Sequence, residues 1–269
     1  VEGEGMDRSD IRLPGVTRKA QTDESAIIVG KFEAEIKTDQ EESIRRMTAA
    51  NKNSAVILLN GAPVDMTAWL EDCAAVLEAW YPGEQGAQAM TEILFGEVNP
   101  SAKLPITFPR SVGQLPLFYA AKPSGRGHGY VENDGSPLYP FGYGLSYTTY
   151  AYSNLRADKT QFTADDLITF TVDVKNTGSV AGKESVLLFS SNLVASLTPD
   201  NRRLRNFEKV ALQPGETKRV TLRIKGSDLA FVGYDGKWTL EAGDFRIQAG
   251  DQVLNITCTA TKKWSESNK

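Results

Sequence analysis

The feature that most constrains this chain is a change of pattern near residue 150. Before it, short apolar runs alternate with segments of helical periodicity; after it, apolar residues recur at every second position. The first pattern builds βα units on a mostly parallel sheet, because each crossover covers a sheet face. The second builds an immunoglobulin-like β-sandwich. The 269 residues therefore divide into an α/β part over 1–150 and an all-β part over 151–262, with a polar tail at 263–269.

In the first part, Ser25–Gly30, Ala55–Asn60 and Ala75–Trp80 read as buried strands. Asp39–Asn51, Met66–Cys73 and Glu84–Phe95 read as helices, the first with Ile44, Met47 and Thr48 along one face. Ligands of open parallel sheets gather at the C-terminal strand ends. That singles out two loops, Asn60-Gly61-Ala62-Pro63 and Trp80-Tyr81-Pro82-Gly83-Glu84. Trp80 is a candidate platform for a ligand; Trp69 reads as core, and Glu84 as a partner of a helix N-terminus. Residues 99–150 carry recurrent Pro and Gly with many aromatics, a composition for an ordered arm and not for a free linker. In the second part, 167–174, 185–189, 203–210, 217–224, 243–249 and 254–258 alternate as strands, about the number a seven-stranded sandwich needs.

Composition narrows the function classes. With 41% hydrophobic and 24% charged residues the chain is globular. A net charge of −4 argues against tracking nucleic-acid phosphates or anionic membranes. The longest apolar run, Ser54–Leu59, is far below the ~20 residues of a membrane-spanning helix. Cys73 and Cys258 read as buried free thiols. With His128 the only histidine, no multi-His/Cys metal site can be built, and no glycine loop cradles a phosphate. The sequence implies no metal and no cofactor.

Four segments together resemble the C-terminal half of glycoside hydrolase family 3, the β-glucosidase and β-xylosidase group. They are Gly3-Glu4-Gly5-Met6-Asp7-Arg8 continuing to Gly15, Ala79-Trp80-Tyr81-Pro82-Gly83-Glu84-Gln85-Gly86, Leu94-Phe95-Gly96-Glu97-Val98-Asn99-Pro100-Ser101-Ala102-Lys103-Leu104-Pro105 continuing to Pro109, and Pro140-Phe141-Gly142-Tyr143-Gly144-Leu145-Ser146-Tyr147-Thr148. The all-β part resembles the fibronectin type III-like domain of these enzymes. The resemblance implies an N-terminal barrel bearing the aspartate nucleophile, absent from 1–269, and an α/β sandwich domain bearing the general acid/base. It places the acid/base at Glu4, with Asp7 and Arg8 bracing the loop. Read from its own surroundings, Arg126-Gly127-His128-Gly129-Tyr130, His128 is a loop residue or a substrate contact. A stretch at 16–38 departs from the family order. It repeats a strand followed by Phe32-Glu33-Ala34-Glu35, as an insertion or a rearrangement, so Glu33 and Glu35 are alternatives to Glu4.

The expected function is the C-terminal part of an exo-acting retaining β-glycosidase. The expected partners are a β-linked oligosaccharide or aryl glycoside and a barrel-bearing chain or segment, with no nucleic acid and no membrane; a homo-oligomer stays open. Retaining hydrolysis needs two carboxyl groups about 5–5.5 Å apart, so the chain alone is expected to be inactive, and its start at Val1 suggests that its beginning lies elsewhere. The resemblance favours a periplasmic or secreted setting, with a cytoplasmic one open. The alternative is a non-catalytic carbohydrate-binding or interaction module on the same scaffold.

Overall fold

The computed structural model describes residues 26–31, 38–123 and 135–265, which group into two compact units. The first unit takes in 26–98, 106–117 and 135–141 of the described residues; the second takes in 99–105, 118–123 and 142–265.

The first unit is built on three parallel strands, β1 (Ala26–Lys31), β2 (Ser54–Leu59) and β3 (Ala75–Glu78), in the order β1-β2-β3. Helix α1 (Thr38–Ala50) crosses from β1 to β2. It buries Ile44 and Thr48 as the periodicity predicts, and the Thr48 hydroxyl donates back to the Ile44 carbonyl at 3.0 Å. Its outer face is laced by Glu41–Arg45 and Glu42–Arg46 pairs at 2.7 and 2.8 Å. β2 buries Val56, Ile57 and Leu58 completely, the mark of a central parallel strand covered on both faces.

The expected helix over Met66–Cys73 is not there. The segment makes turns and one short 3₁₀ helix, Leu70–Asp72. An Asx-turn, Thr67 N–H to Asp65 Oδ1 at 3.0 Å, opens it, and Trp69 is drawn wholly into the core. Helix α2 (Gly86–Leu94) starts two residues later than expected, capped by Gln85, so Glu84 lies outside its first turn.

The second unit is the β-sandwich. Its strands are β4 (Tyr150–Ala157), β5 (Gln161–Phe162), β6 (Leu167–Asn176), β7 (Gly182–Asn192), β8 (Arg203–Leu212), β9 (Thr217–Lys225), β10 (Phe231–Val232), β11 (Trp238–Leu240), β12 (Gly243–Ala249), β13 (Gln252–Cys258) and β14 (Lys262–Trp264). A five-stranded sheet β5-β13-β12-β7-β8 faces a three-stranded sheet β4-β6-β9, with a small sheet β10-β11-β14 beside them. The alternation seen in sequence is the burial pattern. Ile168, Phe170, Val172 and Val174 of β6 point inward against Val186 and Leu188 of β7 and Phe245 and Ile247 of β12. Phe162 and Phe245 meet edge-on at 5.7 Å. Truncating Phe170 to Ala would cost about 3–5 kcal/mol.

Five strands escape the sequence pattern: the short β5, β10 and β11, and also β4 and β14. β4 carries a bulge between Ser153 and Arg156, with Asn154 at φ +56°, so its inward set shifts phase from Tyr150 and Tyr152 to Leu155 and Ala157. The expected tail also begins later: Lys262–Trp264 pair with β11, and Trp264 packs on the core while Lys262 holds Asp165 at 2.6 and 2.8 Å. Both cysteines are free; Cys258 is buried, but Cys73 is only half-buried.

Candidate functional site at the C-terminal strand ends

β2 and β3 end side by side, and each delivers a polar side chain to that edge. Asn60 follows β2 directly and is 1% exposed. Glu78 closes β3 and turns its carboxylate onto the next loop, where Oε1 accepts the Trp80 N–H at 2.9 Å. This capture ends the strand two residues short of the expected Trp80. Trp80 then takes φ +52°, a left-handed conformation that costs a residue with a Cβ about 1–2 kcal/mol.

The electrostatics at this edge are unusual. The Asn60 amide lies beside the Glu78 carboxyl. Neither Asn60 amide atom, nor Glu78 Oε2, reaches a partner at full hydrogen-bond geometry among the described residues. Burial raises Glu78 to about 7, against the smaller opposing pulls of the Trp80 N–H and the Asn60 amide. A carboxylic acid that titrates near neutrality can hold or release a proton where the ordinary surface carboxylate cannot.

The rim is shaped by glycine. A Cβ on Gly61 would sit 2.7 Å from the Tyr81 ring, so the present seat of that exposed ring over the first loop depends on glycine there. Gly83 holds φ +69°, beyond the reach of most residues. Trp80 is half-buried, its ring 6.0 Å from that of Phe108, while Tyr81 is 73% exposed.

Of the candidate residues, Trp80 is placed at this edge. Glu4, Asp7, Arg8, Glu33, Glu35 and His128 lie outside the described residues. Asn60 opens one of the two loops singled out in the sequence, while Glu78 went unnoticed as a site residue. The available signal was the acid itself, standing in the otherwise apolar run Ala75-Val76-Leu77-Glu78-Ala79-Trp80. Among the described residues no three His, Cys, Asp or Glu side chains gather to hold a metal ion, and no helix is long and apolar enough to cross a membrane.

The later motifs do something else: within the second unit they are fasteners. The Asn99 amide donates to the Ala181 carbonyl at 3.0 Å and accepts from Ser146 Oγ and the Tyr147 N–H, both at 2.8 Å. Lys103 reaches Glu184 at 3.3 Å and the Gly144 carbonyl at 3.4 Å. Glu184, nearly buried, also accepts the Tyr152 hydroxyl at 2.8 Å. Thr148 donates to Asn176 at 2.6 Å, and that fully buried amide spends its own N–H groups on Val180 and Leu212 carbonyls. The arginines that flank the start of β8 are engaged as well. Arg202 lies 4.6 Å over the Phe189 ring, Arg203 pairs with Asp200, and Arg205 bonds Ser190 Oγ and the Asp228 carbonyl.

Comparison with known proteins agrees with this architecture. The model of the glycosyl hydrolase family 3 C-terminal domain matches residues 1–147, and that of the fibronectin type III-like domain matches residues 184–253. The chain is similar to a putative beta-xylosidase of Formosa agariphila, 37% identical over 221 residues, covering 82% of this chain and 29% of that protein. It is similar to the periplasmic beta-glucosidase of Salmonella typhimurium, 36% identical over 225 residues, covering 80% and 29% respectively. Among solved structures it resembles a b-glucosidase from Erythrobacter marinus, at 35% identity and a TM-score of 0.83, over 90% of this chain and 35% of that one. It also resembles the beta-glucosidase from Listeria innocua in complex with glucose, at 25% identity and a TM-score of 0.81, over 90% and 38%. The chain thus spans about a third of the length of these relatives.

Proposed function

The chain belongs to glycosyl hydrolase family 3, and from that premise we propose that it supplies the acid/base and part of the sugar pocket of an exo-acting, retaining β-glycosidase. The substrate is a terminal β-linked sugar of an oligosaccharide or an aryl glycoside, and the nucleophile comes from a barrel-bearing segment or chain. One observation carries the reading: the family match runs through the segment holding Gly3-Glu4-Gly5, in a chain whose relatives carry β-glucosidase and β-xylosidase names. In this reading Glu4 is the general acid, then base, with Glu33 and Glu35 as the competing carboxyls. Asp7 and Arg8 brace its loop, and Trp80 and His128 border the sugar.

The chemistry sets the division of labour. The acid must be protonated when the leaving oxygen departs and ionised when water attacks the glycosyl intermediate. A single carboxyl does both only if its environment keeps its pKa near the working pH. Joined to its barrel, the Glu4→Gln protein should lose about 10²–10⁴ in kcat on a disaccharide, with less loss on an aryl glycoside whose phenolate leaves without a proton. An unchanged rate on the disaccharide would refute the assignment, and the same result for Glu33→Gln and Glu35→Gln would favour a non-catalytic module. The 269-residue chain alone should turn over neither substrate.

A further inference from the structure

The β4-β6-β9 sheet of the sandwich turns Ile168, Phe170, Val172, Val174, Val220, Leu222 and Ile224 inward. Its other face is read from the pairing register. Arg156 of β4 lies opposite Thr171 of β6, which lies opposite Thr221 of β9. Ser153, Asp173 and Arg219 form the next row, and Ala151, Lys175 and Thr217 the one after. Toward the other end Thr169 faces Arg223, and Leu167 faces Lys225.

Those outward positions carry five cations, Arg156, Lys175, Arg219, Arg223 and Lys225, against one carboxylate, Asp173. The whole chain, by contrast, has a net charge of −4. All five cations are exposed. Asp173 is taken by Arg219, at 2.7 and 3.0 Å, and by Asn154 at 3.0 Å. Of the carboxylates at the margins of the face, Asp158 accepts the Thr169 N–H and Asp228 the Lys225 N–H, both at 2.9 Å, while Asp166 pairs with Lys159 at 2.8 Å and Glu216 with Lys218 at 3.3 Å. Arg156, Lys175, Arg223 and Lys225 form no ion pair among the described residues.

We propose that this face docks an acidic polysaccharide, a chain of sugars bearing uronate or sulfate groups. Three properties select that partner. The cations are spread along a flat sheet, with alternate residues about 6.6 Å apart on one strand, and so suit charges repeated along a polymer. Between them stand Thr169, Thr171, Thr217 and Thr221, hydroxyls that exchange hydrogen bonds with sugar hydroxyls. The outward positions hold no aromatic side chain, and only Ala151 and Leu167 are apolar. Stacking on nucleic-acid bases or on neutral sugars, and insertion into a membrane, therefore have nothing to work with. The proposal is independent of the glycosidase reading, since its test reads binding alone.

The test is affinity electrophoresis of the 269-residue chain through gels containing polygalacturonate, alginate or dextran sulfate, with plain dextran as the neutral control. Wild type should be retarded by the anionic polymers and not by dextran, and retardation should fade between about 0.05 M and about 0.3 M NaCl as charges are screened. Combined Arg156→Thr, Lys175→Thr, Arg223→Thr and Lys225→Thr should weaken binding at least about tenfold; threonine suits a strand, so the sheet is retained. The pair Lys175→Thr and Arg223→Thr should give an intermediate loss, which keeps the test decisive if the fourfold variant does not fold. A control with the same change in charge off the face, Lys52→Thr, Lys183→Thr, Lys237→Thr and Arg246→Thr, should bind like wild type. Absence of retardation, equal loss in the control, or binding of duplex DNA or phosphatidylserine vesicles as tight as of polygalacturonate would each overturn the proposal.

Discussion

Glu78 shows how one side chain can set a loop and carry a pH dependence. Its carboxyl is raised to about 7 by burial, above its ordinary value, so folding favours the protonated form. That contribution is complete below about pH 4.5 and is lost as pH climbs through 7. Glu78→Gln keeps an acceptor for the Trp80 N–H and removes the ionisation. The variant should match wild type in urea unfolding near pH 4 and exceed it by about 1 kcal/mol at pH 8, after discounting for partial solvent access. A gap that does not widen with pH would show that the carboxyl is not the cause. The sequence displayed this residue openly, as an acid in an apolar run. What it could not display was that the side chain would fold back onto its own strand end, because that depends on the left-handed turn at Trp80.

At the scale of elements, the arm segments are held to the sandwich by buried polar chemistry. Lys103 and Glu184 are mostly shielded, with side chains 22% and 8% exposed. Lys103→Met strands the Glu184 carboxylate and should cost about 2–3 kcal/mol, while Lys103→Met with Glu184→Gln should recover part of the loss. Thermal unfolding of the two single variants and the double variant gives the coupling, and strict additivity would deny the clasp. Nearby, a Cβ on Gly144 would meet the Ala102 carbonyl at 2.4 Å. Since that neighbour is backbone, Gly144→Ala should lower stability by about 2–3 kcal/mol in the same assay. Alternation made β6, β7, β9 and β12 legible, because one face of each is buried at every second residue. β4 was hidden by a bulge that shifts its phase, and 66–73 by a helical periodicity that was honoured for a single turn. The clasp was visible only as motif; which groups it joins depends on contacts across more than forty residues of chain, such as Lys103 to Gly144.

For the whole molecule, the two patterns were legible as an α/β fold and a fibronectin type III-like β-sandwich, and the four motifs identified the family. Neither could show how the arm is apportioned, because that depends on where its hydrogen bonds go. Residues 99–105 and 142–149 lie in one compact unit with the sandwich, while the family's α/β domain model runs on to residue 147. Anyone grafting this sandwich onto another enzyme at the apparent seam would transplant Glu184 without Lys103 and Asn176 without Thr148. A chimera cut there inherits a socket without its plug, and it would be judged a poor recombination partner for reasons unrelated to catalysis. The heritable module is the sandwich together with its three described strips of arm, 99–105, 118–123 and 142–149.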